Sequence, residues 1–336
     1  MSAGKRLIKR TLQMPMGAAA PLLLRRHSRQ LLVLTYHRIL PADDARARLE
    51  QPGMMVTPET FAAHLRWIKA YLNPVHLTDW LDGKATTSKR PCCAITFDDG
   101  WRDNAEFALP LLRQHGLPAT LFLVSDFIGT ARAFWPGRVQ RLTQWTGFPG
   151  SDGQEDWDWL WSHLPEAPEG EALSASLANR LIERLKQYRD DDIETRLDRI
   201  EAALGMHERD VEPVMLSWEE VNAMISDETF ELGSHTRTHR RLNHVSDASA
   251  LDTEIVGARD AIRAATGRRP RLFCYPNGDR SARAEELVRG NYDGACLVQR
   301  GWNTRRPDPH RLLRVGLHED VSATKTAFLA RIQGVF

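Results

Sequence analysis

The sequence predicts an α/β chain closed as a βα-barrel, and three observations predict it. Seven short apolar runs alternate with helical periodicities, the pattern of parallel strands joined by helices. Ionisable and polar residues gather where those runs end, at His37, Asp98-Asp99, His235, Asn277 and His318, and barrels build their sites at that face. No internal repeat or low-complexity tract breaks the alternation. With 336 residues, 42% of them hydrophobic and 26% charged, the chain can bury a large core. Its net charge of +1 gives no global argument for a nucleic-acid partner, and none is expected.

The elements follow in order. Residues 1–30 hold Lys5, Arg6, Lys9, Arg10, Arg25, Arg26 and Arg29 and no acidic residue. The apolar stretch Met14 to Leu24 is short and broken by Pro15 and Pro21, so it makes neither a secretory signal nor a spanning helix. The reading is a cytoplasmic protein whose basic arm either rests on an anionic membrane face or is solvated. The first strand, Leu31 to His37, leads through a Pro- and Asp-containing loop to a helix opened by Thr57 as N-cap with Pro58 in its first turn. A second strand spans Cys92 to Phe97, and a helix from Asn104 to His115 is stopped by Gly116. Ala119 to Val124 is the third strand.

From about residue 127 to 213 the chain is rich in tryptophan, charge and helix formers, with no convincing strand. Helices are expected over 172–188 and 193–204, linked by Asp190-Asp191-Asp192. This stretch reads as a helical insertion, dividing the barrel into 31–126 and 214–336. Its tryptophans either stack on sugar rings or form the core of the lobe. Ser217 and Glu220 form a capping box, and strands follow at 229–232, 271–275, 292–298 and 312–317. The intervening helices are expected over 248–265 and 282–289, and the last over 323–332. The four cysteines show no CxxC spacing and read as buried thiols, which demand no oxidising compartment.

The chemistry centres on Ala94-Ile95-Thr96-Phe97-Asp98-Asp99-Gly100. Adjacent carboxylates at a strand end repel unless a cation or shared proton relieves them; an acidic helix cap is the plainer reading. His235 and His239, four residues apart, converge if the strand exit opens into a helical turn. One carboxylate with two imidazoles suits Zn²⁺, Fe²⁺ or Co²⁺ and leaves positions open for water and substrate.

Taken in order, Thr96-Phe97-Asp98-Asp99-Gly100, His235-Thr236-Arg237-Thr238-His239 and Tyr275-Pro276-Asn277-Gly278 resemble the motifs of the polysaccharide deacetylases, the NodB-homology proteins of carbohydrate esterase family 4. Leu34 to Arg38 is similar to the opening of many members. The resemblance implies a distorted (β/α)7 barrel and removal of an N-acetyl group from an amino sugar in a glycan or a lipid- or nucleotide-linked precursor. It implies Asp98 as catalytic base, and Asp99, His235 and His239 as ligands of a divalent metal, most readily zinc. The turn of Tyr275, Pro276 and Asn277 would supply the oxyanion N–H, and His318 would protonate the leaving amine. Where many members carry a base-orienting arginine this chain has Cys274, so the cation is expected from Arg314. His37 and Trp302 are candidate pocket walls. Hydrolysis of another non-peptide C–N bond, or glycan binding without catalysis, are the competing readings; all four of the Asp and His residues are retained, which weighs against both.

Overall fold

Apolar runs with branched side chains form strands buried on both faces, as parallel sheets require. In the computed structural model, which describes residues 24–51, 53–85, 89–145, 151–165, 173–207 and 213–334, seven such strands close on themselves. They are β1 (Leu31–Tyr36), β2 (Cys92–Phe97), β3 (Ala119–Leu123), β4 (Phe230–Ser234), β5 (Leu272–Cys274), β6 (Gly294–Arg300) and β7 (Leu312–Gly316). Every pairing between them is parallel, and β1 joins both β2 and β7, so the seven close into a ring, with the two-residue strand Asn73–Pro74 added in parallel to the start of β2. This is the parallel seven-stranded barrel with outer helices that the alternation predicts.

Period-two alternation sorts the core. Leu31, Val33, Ala94, Phe122, Leu272, Cys274, Cys296 and Leu312 form the cluster of one strand face, the barrel interior. Their neighbours Leu32, Leu34, Tyr36, Ile95, Phe97, Phe230 and Leu232 pack outward with the helices. Gly233 is required by this packing: a Cβ there would lie 2.3 Å from the Phe122 ring.

Most helices fall where expected. Thr57 caps the helix Pro58–Tyr71, and Ser217 with Glu220 closes both halves of its capping box. Three details differ. The expected linker Asp190-Asp191-Asp192 is the first turn of the helix Asp190–Ala203, because carboxylates stabilise the positive helix end. The helix Ala282–Asn291 runs through Gly290, which the i,i+4 bonds tolerate. The segments Asn104–Ala108 and Thr253–Gly257 are π turns within longer helices.

The described chain groups into two compact units. One holds residues within 1–42, 52–128 and 216–336, including the barrel. The other joins 43–51 with 129–215. In that second unit Trp135 and Trp157 are buried among Leu160, Leu181, Leu197 and Ile200, with Trp159 and Trp161 packed against them, so these tryptophans serve as core. Trp145 is exposed. No helix among the described residues is long and apolar enough to cross a membrane, and the arm over residues 1–23 lies outside them.

Candidate active site

One geometric rule assembles the site. Continuing the inner-face alternation past each strand end places His37 after β1, Asp98 after β2 and His235 after β4 at the same end of the barrel. Cys274 on β5 and Arg314 on β7 share that face. Arg314 meets Asp98 with both terminal nitrogens, at 2.7 and 2.8 Å, while its Nε donates to the Leu297 carbonyl. Burial opposes ionisation of Asp98, but the Arg314 guanidinium outweighs it and holds the carboxyl well below the usual carboxylate range. The Cys274 thiol donates to Asp98 Oδ2 at 3.6 Å, and burial keeps that thiol protonated, well above the usual thiol range.

Asp99 leaves the alternation. Its φ of +77° turns the chain, and its carboxylate lies against two histidines. Asp99 Oδ1 lies 3.6 Å from His235 Nε2 and 3.5 Å from His239 Nε2, while its Oδ2 accepts from the Trp101 indole at 2.9 Å. Gly100, at φ +90°, completes the turn, and a Cβ there would lie 2.7 Å from Ile128.

The two imidazoles converge without the helical turn expected from their spacing. Residues 235–239 form a loop, with Thr236 and His239 at φ +67° and +63°. Such backbone costs about 1–3 kcal/mol per residue and persists only where surroundings impose it. Here buried Glu254 imposes it, accepting from the Arg237 and Thr238 amides and from the Thr238 hydroxyl, while His239 N–H donates to Thr236 Oγ1. His235 Nδ1 donates to the Cys274 carbonyl at 2.7 Å, which leaves Nε2 as the lone-pair nitrogen. Burial pushes the His235 imidazole down to about 3, so it stays neutral as a ligand must.

The donor set fits a divalent cation. Asp99, His235 and His239 offer one oxygen and two nitrogens within 4.8 Å of one another. Donors at about 2.1 Å from a first-row ion stand roughly 3.0–3.4 Å apart, close to the separations here. A second grouping, Asp98, His235 and Cys274, is also compact. It fits less well, since both Asp98 oxygens are engaged by Arg314.

Of the other expected residues, His37 reaches the site: its Nε2 is 3.8 Å from Asp98 Oδ2, and its carbonyl accepts from Asn104. His318 caps the helix Glu319–Ser322, with Nδ1 3.6 Å from Asp320 and its ring against Gly53. It partners Asp320 and Ser322, and no hydrogen bond or ion pair among the described residues joins it to Asp98, His235 or His239. Two expectations need correction. Tyr275 points outward into a cluster with Phe273 and Tyr292, and its N–H is spent on the Cys296 carbonyl, so it cannot serve an oxyanion. Period two sends residues 273 and 275 out and 274 in. Trp302 is no pocket wall either: its indole donates to the Ile332 carbonyl, its ring stacks on His27, and the next residue pairs with Leu31 at the start of β1. Pro276 is buried and lacks an N–H, which leaves exposed Asn277, at φ +54°, as the forward residue of that turn.

Sequence reasoning missed Trp101 and Glu254. The first sits beside the Asp pair, yet nothing local marks its indole as a partner of Asp99. The second is fifteen residues beyond His239 on another element, and no spacing rule reaches it.

A barrel with a carboxylate–guanidinium pair beside three convergent donors that fit a cation carries a candidate hydrolytic centre at its strand ends. Comparison with known proteins agrees. The model of the family described as polysaccharide deacetylase matches residues 85–149 and 179–291. The chain belongs to that family, whose members are carbohydrate deacetylases and are generally dependent on a divalent metal. YxkH of Bacillus subtilis (strain 168), named for the same family, is 34% identical over 122 residues, 34% of this chain and 39% of that protein. The match thus spans well under two thirds of that relative. A polysaccharide deacetylase from Bacillus cereus shares the fold, with TM-score 0.57 and 17% identity over 90% of this chain and 69% of that one. The Streptococcus pyogenes deacetylase PplD, solved with acetate, gives TM-score 0.57 and 13% identity over 88% and 95% of the two chains. IcaB from Ammonifex degensii gives 0.54 and 18% over 90% and 97%.

Proposed function

We propose that the protein is a metal-dependent N-deacetylase of an amino sugar, in a surface glycan or one of its precursors. The observation that carries the reading is the division of the Asp pair: Asp98 is bound by Arg314, and Asp99 faces His235 and His239. Zinc is the cation favoured by two imidazole nitrogens and one carboxylate. When bound, it would supply Lewis acidity toward water and the acyl carbonyl.

The chain's own groups do the rest. Asp98, fully ionised, takes a proton from water as the water oxygen bonds the acyl carbon. Arg314 and Cys274 fix the carboxylate's plane. The Asn277 amide is the proposed donor to the developing oxyanion. As the C–N bond breaks, the amine takes a proton and acetate departs. Geometry favours His37 over His318 as the source of that proton, because only His37 stands beside Asp98.

The test is release of acetate and amine from a panel of free, polymeric, lipid-linked and nucleotide-linked N-acetyl sugars, with and without chelator. Chelator-sensitive release from one class supports the proposal. Full binding of a glycan with no turnover under any metal loading would instead favour a non-catalytic barrel.

A further inference from the structure

The parallel strands give the barrel two unlike ends, and the end opposite the site is strongly basic. Arg26 and Arg29 precede β1, Lys89 and Arg90 precede β2, and all four are exposed. The register Leu31–Cys92, carried back two residues, sets Arg29 beside Arg90. Arg90 donates to the Lys69 carbonyl, and Lys69 to that of His115, so helix Pro58–Tyr71 adds Lys69 and Arg66 to the same patch. Burial and then the Lys69 and Arg66 charges lower the pKa of His115, a sign of their shared field. On the other side of β1, the antiparallel Leu31–Asn303 pair and the His27–Trp302 stack, centroids 4.2 Å apart, hold the segment that carries exposed Arg305 and Arg306 against the residues before β1, and the pairing carried on two residues runs Arg305 toward Arg29.

Three of the acidic side chains at this end are already engaged. Asp227, Asp293 and Asp308 pair with Arg113, Arg271 and Arg289. The near-neutral total hides the asymmetry, since residues 129–215 carry ten Lys and Arg against seventeen Asp and Glu. The chain's first acidic residue is Asp43, and the four basic residues Lys5, Arg6, Lys9 and Arg10 precede Leu24, whose side chain is anchored in the barrel core.

We propose that this end of the barrel docks on an anionic phospholipid bilayer. The charge fits lipid headgroups, and the apolar sequence Met14 to Leu24 adjoins the patch in the chain. Nucleic acid fits less well: the exposed large hydrophobic side chains among the described residues are Trp145 and Val298, neither belongs to the patch, and the Trp302 ring there is already stacked on His27. The inference is independent of the proposed reaction.

Co-sedimentation of the full chain with phosphatidylglycerol or phosphatidylcholine vesicles, at low and raised salt, tests it. Binding to the anionic vesicles alone, weakened by salt, is expected. Each basic residue near the surface strengthens binding by about fivefold. Arg66→Glu/Lys69→Glu and Arg305→Glu/Arg306→Glu should therefore each weaken it by at least about 25-fold. Both should retain the parent's thermal unfolding and its turnover of soluble substrate. Undiminished binding in both well-folded double variants overturns the proposal, as does equal binding to both vesicle types or a preference for duplex DNA over vesicles.

Discussion

Arg314 grips both oxygens of Asp98 from a strand on the far side of β1. Replacing it with methionine leaves a buried carboxylate uncompensated. Arg314→Met is expected to lower turnover by about 10²-fold or more while metal content, measured by elemental analysis, persists. Arg314→Lys keeps the charge but loses the fork, so its turnover should fall between the two.

The Asp pair should separate cleanly by variant. Asp98→Asn keeps shape but cannot accept a proton, so turnover drops about 10²- to 10⁴-fold with metal retained. Asp99→Ala should lose the metal itself. Identical metal content and identical residual turnover in the two would contradict their distinct placement.

Trp101 fixes the Asp99 carboxylate through one N–H, and its own ring lies under Arg38 at 4.2 Å. Trp101→Phe preserves the stack but removes the donor. Metal affinity should weaken about 10- to 100-fold, the usual cost of losing a partner behind a ligand. Competition with a chelating dye reads this directly.

The two candidate proton donors make opposite predictions. His37→Ala should depress kcat strongly with little change in metal content. His318→Ala should leave kcat within a few-fold, since its ring lies against Gly53 and Asp320.

Stability should fall on acidification for a reason distinct from catalysis. Burial lowers His64 to about 4 against an ordinary value of 6.5, while its Nε2 donates to the Ser322 carbonyl and its Nδ1 accepts from Tyr36. The unfolded chain therefore binds this proton first. His64 destabilises the fold progressively as pH drops from about 6.5 to about 4, by roughly 3 kcal/mol in all. Asp98 acts in the same direction in a lower window: its depressed value contributes stability above about 3.9 that is lost only below it. Denaturant titrations of His64→Gln should show a flatter slope between pH 6.5 and 4 than the parent.

Much of this was legible in the sequence because strands and their exits are local. The seven apolar runs, the Asp-Asp-Gly exit and the HxxxH pair each lie within a few residues, and their order carried the family. What stayed hidden depends on which face a side chain takes or which distant element meets it. Period two, applied strictly to β5, would have exchanged Tyr275 for Cys274 as the inward residue. Trp302 was misplaced because the loop after β6 doubles back to the start of β1. Glu254 acts through a loop it meets only in three dimensions. The helical turn expected at His235 failed because a buried carboxylate can hold a left-handed loop that propensity alone disfavours.

The common direction of the seven strands has a further consequence for reach. Strands of five or six residues are about 16–20 Å long, and with a barrel tilt of about 36° they stand roughly 13–16 Å tall. With the arginine-rich end lying on a bilayer, that height becomes a standoff between lipid and active site. A monosaccharide attached directly to lipid in the same leaflet would sit below the mouth. Chains long enough to rise past the barrel, or soluble sugar donors arriving from the aqueous side, would meet it, so the barrel would select by distance from the membrane before it selects by chemistry.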